Sequence, residues 1–294
     1  MTGNVQGFYM KLQLEKFTDS NQEEALSFLS KHENTSVFLL GNFNEHGPDL
    51  GPHVNSGNFK LLRDENKIVC VFCLTRRGNL LVQSEVIHPA FEFIVASCKE
   101  ESNKIRGIIG DWTFAKDFWQ YLKDCGIIKK ETFYSKEINY TLSLDSWRNS
   151  ATKEARYLEA KDFQQWKVLR LDYLIEQKLP KDISEDEMHE QFLGKCNKAM
   201  IWGLFIESRL ISIAELNAKT SSIATVGGVY TEQKWRMKGL AKALMRQLIF
   251  DCKNKHALSK LIIFTGEDEN KPAQRLYESL GCQRAGFMAL FFGE

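Results

Sequence analysis

Arg236, Gly239 and Ala241 stand in an R-x-x-G-x-A spacing, where the β-branched stretch Thr225–Thr231 gives way to a helical one. A helix start of this kind leaves first-turn N–H groups without intrahelical partners, at the positive end of the helix dipole. Such donors hold phosphate, and the small Gly239 and Ala241 allow a pyrophosphate close to the backbone. Downstream, Asn270, Ala273 and Tyr277 form an N-x-x-A-x-x-x-Y spacing on a helix that Pro272 opens and Gly281 closes. Ala273 and Tyr277 share a helix face, the small residue leaving room beside the phenol. Upstream, Gly227 and Gly228 interrupt a continuous strand, the mark of a bulge or a close backbone approach. Each feature alone has an ordinary explanation: a helix start that binds nothing, an Asn cap, a packed Tyr, a packing glycine pair. Their joint order points to a site.

The elements that position them follow from patterning. Residues 155–160 read as a short strand, followed by a helix over 163–178 that Asp162 caps and Leu179-Pro180 ends. Ser184-Glu-Asp-Glu opens a helix to about Lys195. Strands over 199–207, 210–217 and 223–231 are joined by hairpin-length turns and so run antiparallel. A helix over 240–253, a strand over 260–265, a helix over 272–280 and a strand over 286–292 complete this half.

The first half reads as a less regular αβ unit. Helices are expected over 21–32, 91–99 and 115–125, with a short segment over 36–40. Strands are expected over 58–63, 67–75, 78–83, 105–110 and 132–142. Residues 41–57, rich in Gly, Pro, Asn and His, read as a long surface loop. No Gly-rich phosphate loop opens either later helix. His46, His53 and His88 read as loop residues without partners. The polar run from Asp145 places a boundary near Asn149, giving domains 1–148 and 149–294 in an α/β chain with mixed sheets.

Composition excludes several classes. The chain has 294 residues, 43% hydrophobic and 26% charged, with a net charge of +1. That suits a globular protein of two domains and carries no polyanion footprint, so neither nucleic acid nor an anionic membrane is implied. The start has no basic region ahead of an apolar run, and no segment approaches the ~18 apolar residues of a membrane span. A cytoplasmic location is expected. Cys70 and Cys73 form a C-x-x-C inside a strand, where residues three apart point to opposite faces, so core packing is expected rather than a metal or redox site.

The ordered motifs over residues 151–294 resemble the acyl-CoA-dependent N-acyltransferase superfamily called GNAT. The first half resembles a worn copy of the same fold, as in tandem members, and is expected to shape the acceptor site or the domain interface rather than bind CoA. The resemblance implies acetyl-CoA as co-substrate and no metal. It implies that the backbone of Arg236, Met237, Lys238, Gly239, Leu240, Ala241 and Lys242 holds the CoA pyrophosphate. Val229 and Thr231, flanking Tyr230, would bond the pantetheine arm in a splayed cleft. Asn270, beside Ala273, would bond that arm from the other side, and Tyr277 would protonate the departing thiolate.

Many family members place a Glu on the motif strand, where this chain has Thr225; the nearest replacement is Glu215. A carboxylate among Ile211, Ile213 and Leu216 is expected to have a raised pKa, suiting a base near neutrality. A solvent-facing Glu or a structural ion pair is the ordinary alternative, and a water relay would make a base unnecessary. If Glu215 is the base, Glu215→Gln lowers turnover at pH 7 more than at pH 9. Trp166, Tyr173, Trp202 and Trp235 are expected in the core, although Tyr173 and the acidic run 185–187 lie where the family builds its acceptor wall. The acceptor is expected to be a small-molecule or peptide amine. Rival readings are a tandem aminoacyl or longer-acyl transferase and a non-catalytic acyl-CoA-binding module; the acceptor and oligomeric state are not readable.

Overall fold

The computed structural model describes residues 11–148, 152, 154–179, 183–268 and 270–294. The boundary expected near Asn149 and the helix stop at Pro180 lie outside the described residues. Packing divides the chain into residues 1–136 with 287–294, and residues 137–286. This differs from a cut at 148 because two long strands, β6 (Glu131–Ser143) and β12 (Gln283–Gly293), each contribute to both units.

In the first unit, β1 (Leu12–Lys16) precedes α1 (Gln22–Lys31) and α2 (Glu33–His46). β2 (Gly57–Asp64), β3 (Lys67–Thr75), β4 (Asn79–Ser84), α3 (His88–Lys99), β5 (Gly107–Asp111) and α4 (Trp112–Asp124) follow. The strands order as β1-β2-β3-β4-β5, and Met288–Phe292 of β12 closes the sheet antiparallel to β5. β1 was not expected from the sequence, and α2 extends into the expected loop as far as His46. One core gathers Phe91, Phe118 and Trp119 from α3 and α4; another gathers Phe28, Leu29 and Leu61. β3 sends Cys70 to the first and Cys73 to the second, so the two thiols diverge. His46 and His53 are not solitary: their rings stack with centroids 4.2 Å apart.

The second unit holds β6 from Glu137, β7 (Ala155–Tyr157), α5 (Phe163–Glu176), α6 (Glu185–Asn197), β8 (Ile201–Ile206), β9 (Arg209–Lys219) and β10 (Ile223–Thr231). It continues with α7 (Leu240–Asn254), β11 (Lys260–Gly266) and α8 (Lys271–Ser279). Its strand order is β6-β11-β10-β9-β8-β7, with β10 and β11 parallel and the other neighbours antiparallel. Phe163, Trp166 and Leu169 of α5 and Met188 and Phe192 of α6 pack on Ile201, Ile213 and Tyr230. Trp202 is fully buried and donates through its indole N–H to Asp251 of α7 at 2.9 Å. Trp166 and Trp202 are therefore core. Asp162 does not cap α5: its carboxylate accepts from the Glu159 N–H at 2.8 Å and pairs with Arg156 at 2.7 Å.

Both units contain a parallel strand pair, and the two pairs end differently. In the first, β4 and β5 pair from Asn79↔Gly107 to Val82↔Gly110, and both strands stop within two residues of that last pair. α3 then starts at His88-Pro89 without a glycine at its entry. In the second, β10 and β11 pair only from Ile223↔Lys260 to Val226↔Ile263, yet β10 runs on to Thr231 and β11 to Gly266. A gap therefore opens in the second unit and not in the first. A titration with acetyl-CoA should saturate at one equivalent per chain; a second equivalent would contradict the contrast between the two strand pairs.

Candidate functional site

The gap begins at a double irregularity in β10. Val226 stands opposite Leu216 and Thr225 opposite Ala218, so β9 carries an extra residue there. Thr225 Oγ1 accepts the Ala218 N–H at 3.0 Å, which keeps a bulged amide satisfied in the core. A Glu in that position could not do this without carrying its charge into a fully buried place. The second irregularity lies between Gly227↔Glu215 and Tyr230↔Ile213, where β10 has the extra residue. Gly228 takes φ +58°, and a Cβ there would meet the Glu215 side chain at 3.0 to 3.2 Å. Only glycine fits both demands.

Beyond the bulge, β10 is fastened to β9 on one edge. Ser212 Oγ contacts the Tyr230 carbonyl at 2.9 Å and Thr231 Oγ1 at 2.7 Å, and the Glu232 N–H bonds the Ile211 carbonyl at 2.9 Å. Backbone groups alternate along a strand, so those of Val229 and Thr231 point to the other edge, into the gap. The Thr231 carbonyl there already accepts from Arg236 Nε at 2.9 Å.

The gap leads to the start of α7. Met237 and Gly239 both have left-handed φ, +61° and +76°, and Gly239 has nothing within 4 Å of where a Cβ would stand. No side chain caps the helix. The amides of residues 237–242 have no protein acceptor among the described residues, and all six residues are exposed or half-buried. Arg236 pins this loop rather than offering its charge outward. Besides Thr231, its guanidinium pairs with Glu176 of α5 at 2.6 Å and lies over the Tyr230 ring at 5.1 Å. Trp235, half-buried in the turn before the helix with Lys238 over its ring at 4.6 Å, is not a core residue.

On the far side of the gap, Asn270 caps α8, its Oδ1 accepting from the Ala273 N–H at 3.3 Å. Tyr277 is 5% exposed, edge-on to Tyr140. Burial, reinforced by Tyr173, Cys282 and Glu137, pushes its pKa far up, so the phenol stays protonated. Tyr140 holds α8 in place, donating to Glu278 at 2.9 Å, which Arg284 also binds.

Glu215 lies against the bulge but is not the carboxylate expected. Its pKa is lowered: burial pushes it up, and Lys195 of α6 and Arg170 of α5, at 2.9 and 3.3 Å from Oε1, outweigh that. The shift runs opposite to the raised pKa expected of a base poised near neutrality. Tyr173, one turn beyond Arg170, is no simple core residue either. Its ring packs half-buried against the core and Tyr230, and burial, opposed by Arg170, raises its pKa. Sequence reading overlooked Arg170 as a partner of Glu215. Arg170 stands three residues before Tyr173, the one signal available.

The Glu215 cluster yields a pH signature. Its folded pKa lies below the ordinary 4.5, so its contribution to stability is present above that value and is lost as pH falls through the lowered one. Glu215→Gln should therefore destabilise the protein at pH 7, by about 3 kcal/mol at most since both cations are partly solvated. In denaturant titrations the difference from wild type should shrink toward pH 3; a constant difference would show that the charge is not what counts.

Comparisons with known proteins bear on the family and the fold. Residues 163–282 match the acetyltransferase (GNAT) family. No curated protein matches the chain significantly. Among solved structures, a Drosophila protein aligns over 95% of this chain and 98% of its own, at 15% identity and a TM-score of 0.65. A GCN5-related N-acetyltransferase from Sphaerobacter thermophilus aligns over 95% and 94%, at 12% identity and 0.61. A tandem GNAT protein from the clavulanic acid biosynthesis pathway aligns over 97% and 98%, at 11% identity and 0.55. Among the described residues, no helix is long and apolar enough to cross a membrane. Residues 163–282 thus form a domain of the acetyltransferase (GNAT) family, acyl-CoA-dependent N-acyltransferases, and the half that precedes it shares the fold.

Proposed function

We propose that the chain is an N-acetyltransferase that moves an acetyl group from acetyl-CoA to a primary amine by direct attack. The observation that carries this reading is the gap between β10 and β11, whose edge amides lead to an exposed helix start. The amides of residues 237–242 bind the pyrophosphate at the positive end of α7. Val229, and the N–H of Thr231, bond the pantetheine arm along the free edge of β10, with Asn270 on the opposite wall. The thioester then lies between the bulge and Tyr277.

The acceptor amine, unprotonated, attacks the thioester carbonyl. Negative charge develops on the carbonyl oxygen, where the Val229 N–H stabilises it. As the C–S bond breaks, Tyr277 gives its proton to sulfur. Its high pKa does not disqualify it, because the same burial raises the proton affinity of a thiolate formed beside it. Glu215, paired with two cations, leaves proton removal from the amine to water.

Two variants separate binding from chemistry. Tyr277→Phe should lower kcat about a hundredfold while leaving acetyl-CoA affinity unchanged; retained turnover would remove Tyr277 from proton transfer. Ala241→Asp places a negative charge at the start of α7, where it suits the helix dipole but repels a phosphate. Thermal stability should hold or rise while the KM for acetyl-CoA increases at least about tenfold. An unchanged KM would move the nucleotide elsewhere.

A further inference from the structure

Glu215 shares one carboxylate between two cations. Its side chain is 5% exposed and faces Lys195 and Arg170, each 26% exposed. Lys195 is well used, bonding Glu215 at 2.9 Å and Asn217 at 3.3 Å. Arg170 is not. Its single hydrogen bond among the described residues, Nη1 to Glu215 Oε1, is long at 3.3 Å.

Other arginines of this protein show what a satisfied guanidinium looks like. Arg156 grips both Asp162 oxygens at 2.7 and 3.0 Å. Arg63 binds Glu15 and Glu24 through three nitrogens at 2.9 to 3.0 Å. A half-buried fork with unused donors is costly unless something fills it. The partner that matches its planar geometry is a carboxylate. The position is equally specific: Arg170 lies over the Tyr173 ring at 5.2 Å, and the Glu215 oxygen it binds would sit 3.2 Å from a Gly228 Cβ.

We propose that the acceptor is an amine that also carries a carboxylate, as a free amino acid does, and that the free edge of Arg170 binds that carboxylate beside the bulge. Glu215 acts here as a positioning residue that holds the guanidinium in place. The inference depends on the acetyltransferase reading and narrows its acceptor class.

The test compares thiol release from acetyl-CoA with glycine, alanine, glutamate and lysine against their methyl esters and against simple alkylamines. Rates are expressed per unprotonated amine, since an ester lowers the pKa of its amine. The free acids should be preferred, and Arg170→Met should raise their KM roughly tenfold to a hundredfold more than it raises that of the esters. Arg170→Lys should recover part of the loss. Equal use of acids and esters by the wild type overturns the carboxylate subsite while leaving the acetyltransferase reading intact, and this comparison stands even if Arg170→Met fails to fold. A loss in Arg170→Met that is equal for acids and esters likewise overturns it. Acetyl-CoA binding with no thiol release from any amine overturns both.

Discussion

A strand in the middle of a sheet is expected to pair on both edges, and β10 does so for only four residues on its β11 side. What ends the pairing is local. At Gly228 the backbone turns left-handed and the Glu215 side chain occupies the space a Cβ would need. Leaving a buried backbone donor without a partner costs about 1–3 kcal/mol. Such groups persist where water or a ligand reaches them, and the gap gives that access. On its other edge the strand is secured by Ser212 and by the Glu232 N–H, so it diverges without fraying. The phosphate loop, the free edge and the position of Tyr277 all depend on that divergence.

Around the bulge the protein keeps a charged group where an apolar one would pack more cheaply. Glu215 is held between α5 and α6 by one cation from each, and Arg236 ties the loop before α7 to α5 through Glu176. α5 thereby touches both ends of the gap: Arg170 and Tyr173 at the bulge, Glu176 near the phosphate end. Buried ion pairs contribute little net stability. Their value here is geometric, since they fix one helix against a strand that lacks a continuous neighbour.

Much of this was legible in the sequence because the signals are local. The capping Ser184, the hairpins joining β8, β9 and β10, and the glycine pair of the bulge are all set by residues a few positions apart. The diverging strands and the exposed start of α7 followed from the same spacings. What failed needs distance. The partners of Glu215 come from 45 and 20 positions away on separate helices, so its apolar neighbours in sequence suggested a raised pKa and the fold delivers a lowered one. β1, an edge strand of five residues with a mostly exposed pattern, carries little apolar alternation to read. The polar Asn, Gly and His of α2 read as loop although Val37, Leu39 and Leu40 bury one face. The division between units escaped because β6 and β12 find their partners far along the chain.

The two halves show how one fold closes or opens the same seam. In the first, Gly110 of β5 pairs with Val82, and a Cβ there would stand 2.7 Å from the Val82 carbonyl oxygen. Gly107 is similarly crowded by Phe292 and by the Phe291 carbonyl. Glycine in that unit lets β5 lie close to both neighbours, β4 at Gly110 and β12 at Gly107. In the second, Gly228 supplies a left-handed turn where β10 carries an extra residue opposite β9, just after the pairing with β11 ends at Val226. The same residue type therefore serves close strand packing in one unit and a bulge beside the gap in the other. Which outcome follows depends on whether glycine relieves a side-chain clash within the ladder or supplies a φ that the ladder cannot hold.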